Sequence, residues 1–324
     1  MSEVVLVTGA ATPGVALAAR RLAETAGVRV VAVDTTLPED DLGPAKFVRA
    51  DIRTPVISKV LAVEGVNTVL HMDLAPMRPR GTGSATKEIN VIGTMQVLGA
   101  CQRSDTVSRV VMMSSSAVYG TSPRDPAVFK ESATARGGTK SGFAKDVVEV
   151  EAYARGFARR RPDICVTTLR MAQCVSPHFS SPLGLYFSNP VLPVPMGFDA
   201  RLQLVHPEDA YAVVEKAATN DIPGTFNVGG DGVLMLTQAA RMLGKPTLPL
   251  LPIGFGSVLH RAASFMGTDL TPGVHRLLTY GRIMDTSALR EIFGYTPKFS
   301  TRETFEWYAE TLRPGLFQTL GVTK

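Results

Sequence analysis

The sequence has only three cysteines, Cys101, Cys165 and Cys174, and none stands in a CxxC or CxxH pair. A disulfide framework needs paired cysteines and a structural zinc site needs closely spaced ligands, so neither organises this fold. The three read as small core residues. No apolar run approaches the roughly 18 residues that a membrane-spanning helix needs, so no membrane partner is expected. The opening stretch, MSEVVLVTGA, lacks the basic flank and cleavage site of a secretion signal, which points to a cytoplasmic protein. Internal repeats and low-complexity tracts are missing too. The excess of positive charge is small, 34 basic against 29 acidic residues. Its densest run, Arg159, Arg160 and Arg161, stands before Pro162 where a helix should end, and cations there complement the helix dipole. Nucleic acid is therefore not an expected partner.

What is present is apolar material for a sizeable core, 45% of 324 residues, arranged as alternating strands and helices. Val4 to Val7 is a short β-branched run, followed by Thr8, Gly9 and apolar residues at helical spacing from Ala16 to Ala26. Gly27 closes that helix and Val28 to Val33 forms a second strand ending at Asp34, so the unit is βαβ. Phe47 and Val48 predict a third strand, with Thr54 and Pro55 as cap and first turn of the helix that follows. Thr68 to His71, Val110 to Met113 and Ile164 to Leu169 predict three more strands. Helices from Lys87 to Gln102 and from about Gly142 to Arg159 separate them.

This order predicts an α/β fold, a doubly wound parallel Rossmann sheet that binds ligands at the carboxyl ends of its strands. From Ser176 a series of prolines interrupts any regular pattern, which predicts a smaller, mixed C-terminal substrate-binding region. The expected division is 1–175, with 203–232 returning to it, as the dinucleotide-binding domain, and 176–202 with 233–324 as the substrate-binding region.

In such a fold the first turn must let a pyrophosphate approach backbone N–H groups at a helix N-terminus. Gly9 stands at that place. Asp34, 25 residues later, can accept hydrogen bonds from the adenosine ribose, and its charge repels a 2′-phosphate, favouring NAD over NADP. The residues alone leave a solvated strand-end aspartate open as the other reading.

Several segments recur in a familiar order: Thr8-Gly9, Asp34, Asp51-Ile52, His71, Asn90-Val91-Ile92-Gly93-Thr94, Ser114-Ser115-Ser116-Ala117-Val118-Tyr119-Gly120 and Lys145-Asp146-Val147-Val148-Glu149. Leu169-Arg170, Leu204 to Asp209, Gly224 to Gly229 and Phe293 to Pro297 continue it. The chain resembles the extended short-chain dehydrogenase/reductases, in the NAD-dependent epimerase/dehydratase branch (UDP-glucose 4-epimerase-like). That resemblance implies that Asp51 and Ile52 hold the adenine ring, that Asn90 stabilises the helix beside the active site and that Ser115 bonds the reacting hydroxyl. It also implies that Lys145 binds the nicotinamide ribose, that His71 belongs to the cofactor site, and that the chain forms a homodimer through the helices carrying Asn90 and Lys145.

The chain departs from the pattern at its chemical centre. The family tyrosine, four residues before the lysine, is Ser141, whose hydroxyl has neither a suitable pKa nor the reach of a phenol. The TGxxGxxG turn carries Thr12 and Val15 at glycine positions, with Gly14 out of register by one. Thr12 can donate to a phosphate, whereas Val15 should obstruct the close approach of helix to strand. Asp73, Gln173 and Ser176 also replace family residues. Arg78, Arg80 and Arg201 are candidate contacts to an anionic substrate, although a solvated loop would have the same composition. His206 reads as structural.

Two readings follow. The first is an NAD-dependent enzyme acting on a nucleotide-sugar-type substrate by transient hydride transfer, with Ser115, Lys145 and a water or Asp73 sharing the proton work. The second is a non-catalytic or weakly active NAD(P)-binding sensor on the same fold.

Overall fold

The computed structural model describes residues 3–12, 14–74, 86–134, 142–176, 181–251, 255–257 and 272–312. β1 (Glu3–Thr8) is buried from Val4 onward and pairs in parallel with β2 (Val28–Asp34) on one side and β4 (Thr68–His71) on the other. A strand covered by helices on both faces has no polar side to show, which is why its sequence runs Val-Val-Leu-Val without alternation. β3 (Lys46–Arg49) pairs with β2, while β5 (Arg109–Ser115) and β6 (Cys165–Met171) extend the sheet beyond β4.

Helices α1 (Val15–Glu24), α2 (Val56–Glu64), α3 (Thr94–Gln102) and α4 (Phe143–Arg160) connect these strands. Two expected details differ. The helix predicted from Lys87 opens as a wide π-helical turn, Glu88–Gly93, before α3 begins. At its end the Thr94 hydroxyl donates to the Asn90 carbonyl at 2.5 Å. Thr54 does not cap α2: its hydroxyl donates to the Asp51 carbonyl at 2.8 Å and Pro55 heads the helix.

Beyond β6 come β7 (Gln173–Cys174), α5 (Pro182–Ser188), β8 (Leu192–Pro195), β9 (Arg201–Leu202), β10 (Leu204–Val205), α6 (Pro207–Thr219) and β11 (Gly224–Val228). They are followed by β12 (Leu234–Met235), α7 (Leu236–Met242), β13 (Thr247–Leu250), α8 (Pro272–Tyr280), α9 (Ser287–Glu291) and α10 (Thr301–Thr311). β11 returns to the main sheet, whose seven parallel strands run in the order β11-β6-β5-β4-β1-β2-β3. The chain winds from β1 out to β3, then crosses back to β4, and this reversal opens a crevice at the carboxyl ends of β1 and β4.

A second core gathers Val175, Leu183, Phe187, Leu192, Leu234 and Phe305. Three two-stranded pairs surround it, β7 with β10 and β8 with β13 in parallel, β9 with β12 antiparallel. α10 opens on a capping box in which Ser300 and Glu303 each bond the other's backbone N–H. No described helix is long and apolar enough to cross a membrane.

A buried polar network ties the far strands together. Arg170 on β6 donates twice to Glu151 on α4, at 2.9 and 2.7 Å, and once to the Tyr119 hydroxyl at 2.8 Å. Glu151 also accepts from Ser114 at 2.6 Å, and Tyr119 donates to Asn227 on β11 at 2.6 Å. The ends of β5, β6 and β11 are thereby fixed relative to α4, the helix that carries Lys145.

Candidate functional site

At the end of β1, Gly9 adopts φ +80°, and a Cβ there would lie 2.8 Å from the Cα of Asp73. Both backbone conformation and space demand glycine. The N–H groups of Gly9 and Ala10 donate to Val33, and Gly14 takes a second left-handed conformation, φ +83°, as the N-cap of α1. The glycine that is out of register in the sequence is thus the one that starts the helix. Val15 does not hold α1 off the sheet: it is buried in the core, and Ala16, Ala18 and Ala19 provide the small surface for close packing.

Asp34 reaches this turn from the end of β2. Its Oδ2 accepts from the Ala11 N–H at 2.9 Å and its Oδ1 from the Thr35 N–H at 2.7 Å. A carboxylate offers about four lone-pair positions, so one on Oδ2 stays available to a ribose hydroxyl. Asp51, after β3, is enclosed by Arg53, which donates to Oδ1 at 3.0 Å and Oδ2 at 2.7 Å. The hydrogen-bonded Arg53 guanidinium holds the Asp51 carboxyl below the usual carboxylate range. Ile52 is buried beneath Gly93, where an added Cβ would meet its Cδ1 at 2.5 Å.

The His71 ring is fully buried and spans Thr8 (Nδ1 to Oγ1, 2.7 Å) and Thr94 (Nε2 to Oγ1, 2.8 Å). The single Thr94 hydroxyl proton goes to the Asn90 carbonyl, so Nε2 donates to Thr94, and in a ring with one proton Nδ1 accepts from Thr8. His71 therefore laces β1, β4 and the π-helical turn together. The Asn90 amide donates to Asp146 on α4 at 3.2 Å. Burial raises the Asp146 carboxyl, with the Asn90 hydrogen bond opposing it. The sequence reading passed over Asp146 and Thr94 as partners, although both stand inside segments singled out for their neighbours.

Lys145 is half-exposed, its Nζ 3.6 Å from Glu149. Ser115 ends β5, and its hydroxyl accepts from the Ala117 N–H at 3.2 Å, which leaves its own proton free to be donated. The sheet register sets Thr8 beside His71 and His71 beside Met112, so Gly9, Asp34, His71 and Ser115 share one edge. Ser141, Arg78 and Arg80 lie outside the described residues. Thr12 is half-buried in the turn, its N–H donating to the Gly9 carbonyl at 2.8 Å. Arg201 lies on β9, apart from the glycine turn.

His206 is not at this edge. It is buried between Phe299 and Trp307, with ring centroids 3.9 and 4.6 Å away. Its Nδ1 accepts from the Glu208 N–H, and its buried Nε2 has no partner among the described residues. Burial lowers its pKa, with Asp209 and Glu208 opposing. A histidine with a lowered folded pKa contributes stability that is intact above its unfolded value of about 6.5 and is lost as pH falls below it. Denaturation midpoints are accordingly expected to fall as the pH drops below about 6.5. His206→Phe should flatten this dependence, and an unchanged slope would contradict the assignment.

A sequence model described as the NAD dependent epimerase/dehydratase family matches residues 5–229. The chain belongs to the NAD dependent epimerase/dehydratase family. It is similar to an uncharacterised protein of Mycobacterium tuberculosis, 44% identical over 314 residues, which make up 94% of this chain and 83% of the relative. A second protein of that organism is 27% identical, and the match spans 95% of this chain but 30% of that protein. Among solved structures, the family's fold recurs in dTDP-glucose 4,6-dehydratase of Bacillus anthracis in complex with NAD, at TM-score 0.72 and 14% identity, covering 95% and 96% of the two chains. UDP-glucose 4-epimerase of Thermotoga maritima with UDP-glucose aligns at TM-score 0.71 and 17% identity, covering 95% and 98%. UDP-glucuronic acid 4-epimerase of Bacillus cereus in complex with NAD gives 0.72 and 17%, covering 96% and 98%.

Proposed function

We propose that this family member is an NAD-dependent oxidoreductase acting on a nucleotide sugar, by transient removal and return of a hydride. The observation that carries the reading is the Gly9 turn, where no side chain fits and where Asp34 stands with acceptor capacity toward a ribose. The residues present fit the dinucleotide. The turn at Gly9, Thr12 and Gly14 would take the pyrophosphate at the N-terminus of α1, Asp34 the adenosine ribose, and Ile52 with Asp51 the adenine edge. Lys145 would take the nicotinamide ribose. NAD, when bound, supplies the hydride acceptor.

In this reading the chain's own part is orientation and proton handling. Ser115, fixed by Ala117, donates to the reacting oxygen, and Lys145 lends positive charge to the same place. His71 is committed on both ring nitrogens to threonines, so it positions the strands and takes no part in the proton transfer. Ser141 is no substitute for a phenol as general acid or base, and turnover is therefore expected to be slow. Ser141→Tyr should raise kcat on a nucleotide-sugar mixture by about 10²–10⁴-fold, the range of a general acid–base catalyst. No gain in a variant that still binds NAD would favour the second reading, a cofactor sensor, which Ser141 and the Arg53 closure over Asp51 also support.

A homodimer belongs to the same proposal. Val91, Val97 and Val147 are buried within the chain, whereas Ile92, Met95 and Tyr153 remain exposed on the π-helical turn, α3 and α4. A monomer mass by sedimentation would remove the dimer from the account.

A further inference from the structure

Asp73 follows β4 at the crevice between β1 and β4, two residues past His71, and is only 5% exposed. A Cβ built on Gly9 would lie 2.9 Å from the Asp73 Cβ as well as 2.8 Å from its Cα, so the side chain leaves the backbone directly beside the glycine turn. Bond lengths alone then keep its carboxyl carbon within about 6 Å of the Gly9 Cα. This is the turn to which the dinucleotide reading assigns the pyrophosphate. Asp34 stands on its other side, so two carboxylates flank the turn.

Four successive N–H groups of the turn are already engaged within the chain. Gly9 and Ala10 donate to the Val33 carbonyl, Ala11 to Asp34 and Thr12 to the Gly9 carbonyl. They do not offset the Asp73 charge. Among the described residues, the other charged or titratable side chains on the elements around the crevice have their own partners. His71 is held by Thr8 and Thr94, Asp34 by Ala11 and Thr35, and Glu88 lies beside Arg53. On α4, Asp146 accepts from Asn90 near Lys87, and Lys145 lies beside Glu149.

A pyrophosphate brings two negative charges to this place and displaces water from a carboxylate that is already buried. Burial and a like charge both favour the neutral form of a carboxyl group. The phosphates are much the stronger acids, so the proton settles on the carboxylate. We infer that Asp73 takes up a proton from solvent when the dinucleotide binds, and that this residue makes cofactor affinity fall as pH rises. The inference rests on the dinucleotide reading of the site and concerns binding, so it holds whether or not the chain turns a substrate over.

The test is calorimetric titration of the full chain with NAD, in pairs of buffers that differ in ionisation enthalpy, which counts the protons exchanged. Near neutral pH, binding should take up roughly 0.5 to 1 proton per NAD, equivalent to affinity falling about three- to tenfold per pH unit. ADP-ribose, which keeps the pyrophosphate and lacks the nicotinamide, should take up as much. Asp73→Asn should take up no proton and bind NAD at least about tenfold tighter than the parent at about pH 8, because the amide has no charge to neutralise. The proton count on the parent stands by itself if the variant fails to fold. NAD binding without proton uptake, uptake that survives in Asp73→Asn, or a variant that binds more weakly than the parent would overturn the inference and leave the dinucleotide reading in place. Absence of NAD binding by both proteins at about pH 5.5, where repulsion is least, would remove that reading and the inference together.

Discussion

Glu151→Ala is expected to lower the unfolding free energy by about 3–5 kcal/mol, because it leaves a buried guanidinium without its counter-charge. Arg170 and Glu151 are 5% and 3% exposed at their side chains, so water cannot replace the lost carboxylate. The same change strands the Ser114 hydroxyl and loosens the Tyr119 link to Asn227. Glu151→Gln keeps the shape and one acceptor, and should fall between Ala and the parent. Replacing Arg170 and Glu151 together by Met and Leu should recover much of the loss, since a buried pair is costly to break but not to exchange for packed apolar groups. Chemical denaturation of the four proteins measures this directly. An effect of Glu151→Ala within about 1 kcal/mol of the parent, the range of surface pairs, would show that the network is solvated.

Gly9→Ala should abolish dinucleotide binding as well as destabilise the chain. A non-glycine residue in the left-handed region costs about 1–2 kcal/mol. The new Cβ would also press on the backbone of Asp73, which has no flexible end to move aside. Displacing that backbone shifts the turn on which the pyrophosphate would lie, so an affinity loss of about 100-fold or more is expected. Gly27→Ala is the control. It has the same kind of backbone, φ +82°, but nothing within 4 Å of the added Cβ. It should cost about 1 kcal/mol and leave binding unchanged. Thermal shift with and without NAD separates the two effects, and a Gly9→Ala protein that binds like its parent would contradict the turn's role.

Much of the scaffold was legible because it is written in local pattern. Thr68 to His71 is a strand with the expected bounds, and β1, β2, β3, β5 and β6 lie within a few residues of the apolar runs that predict them. The alternation of strands and helices predicts a doubly wound parallel sheet, and the structure places its reversal at β1. What the pattern could not show are pairings that exist only once distant segments meet. Asn90 and Asp146 are 56 residues apart, and their contact depends on how α4 packs on the π-helical turn. Arg282 meets Ser116 across 166 residues. The left-handed Gly14 illustrates a different limit. By spacing it is misplaced, yet what the turn requires is a positive φ before the helix, and Gly14 supplies it. Val15 was expected to obstruct packing, but the alanines around it leave room. The proton chemistry stays the least legible part, since it turns on Ser141, where sequence supplies an exception to a family pattern and no partner.

Calorimetric titration of the parent chain with NAD, NADH, NADP and NADPH tests the central claim most directly. The account predicts saturable binding of NAD and NADH, with the 2′-phosphorylated forms at least about tenfold weaker because of the Asp34 charge. Absence of binding by all four at millimolar concentration would contradict it.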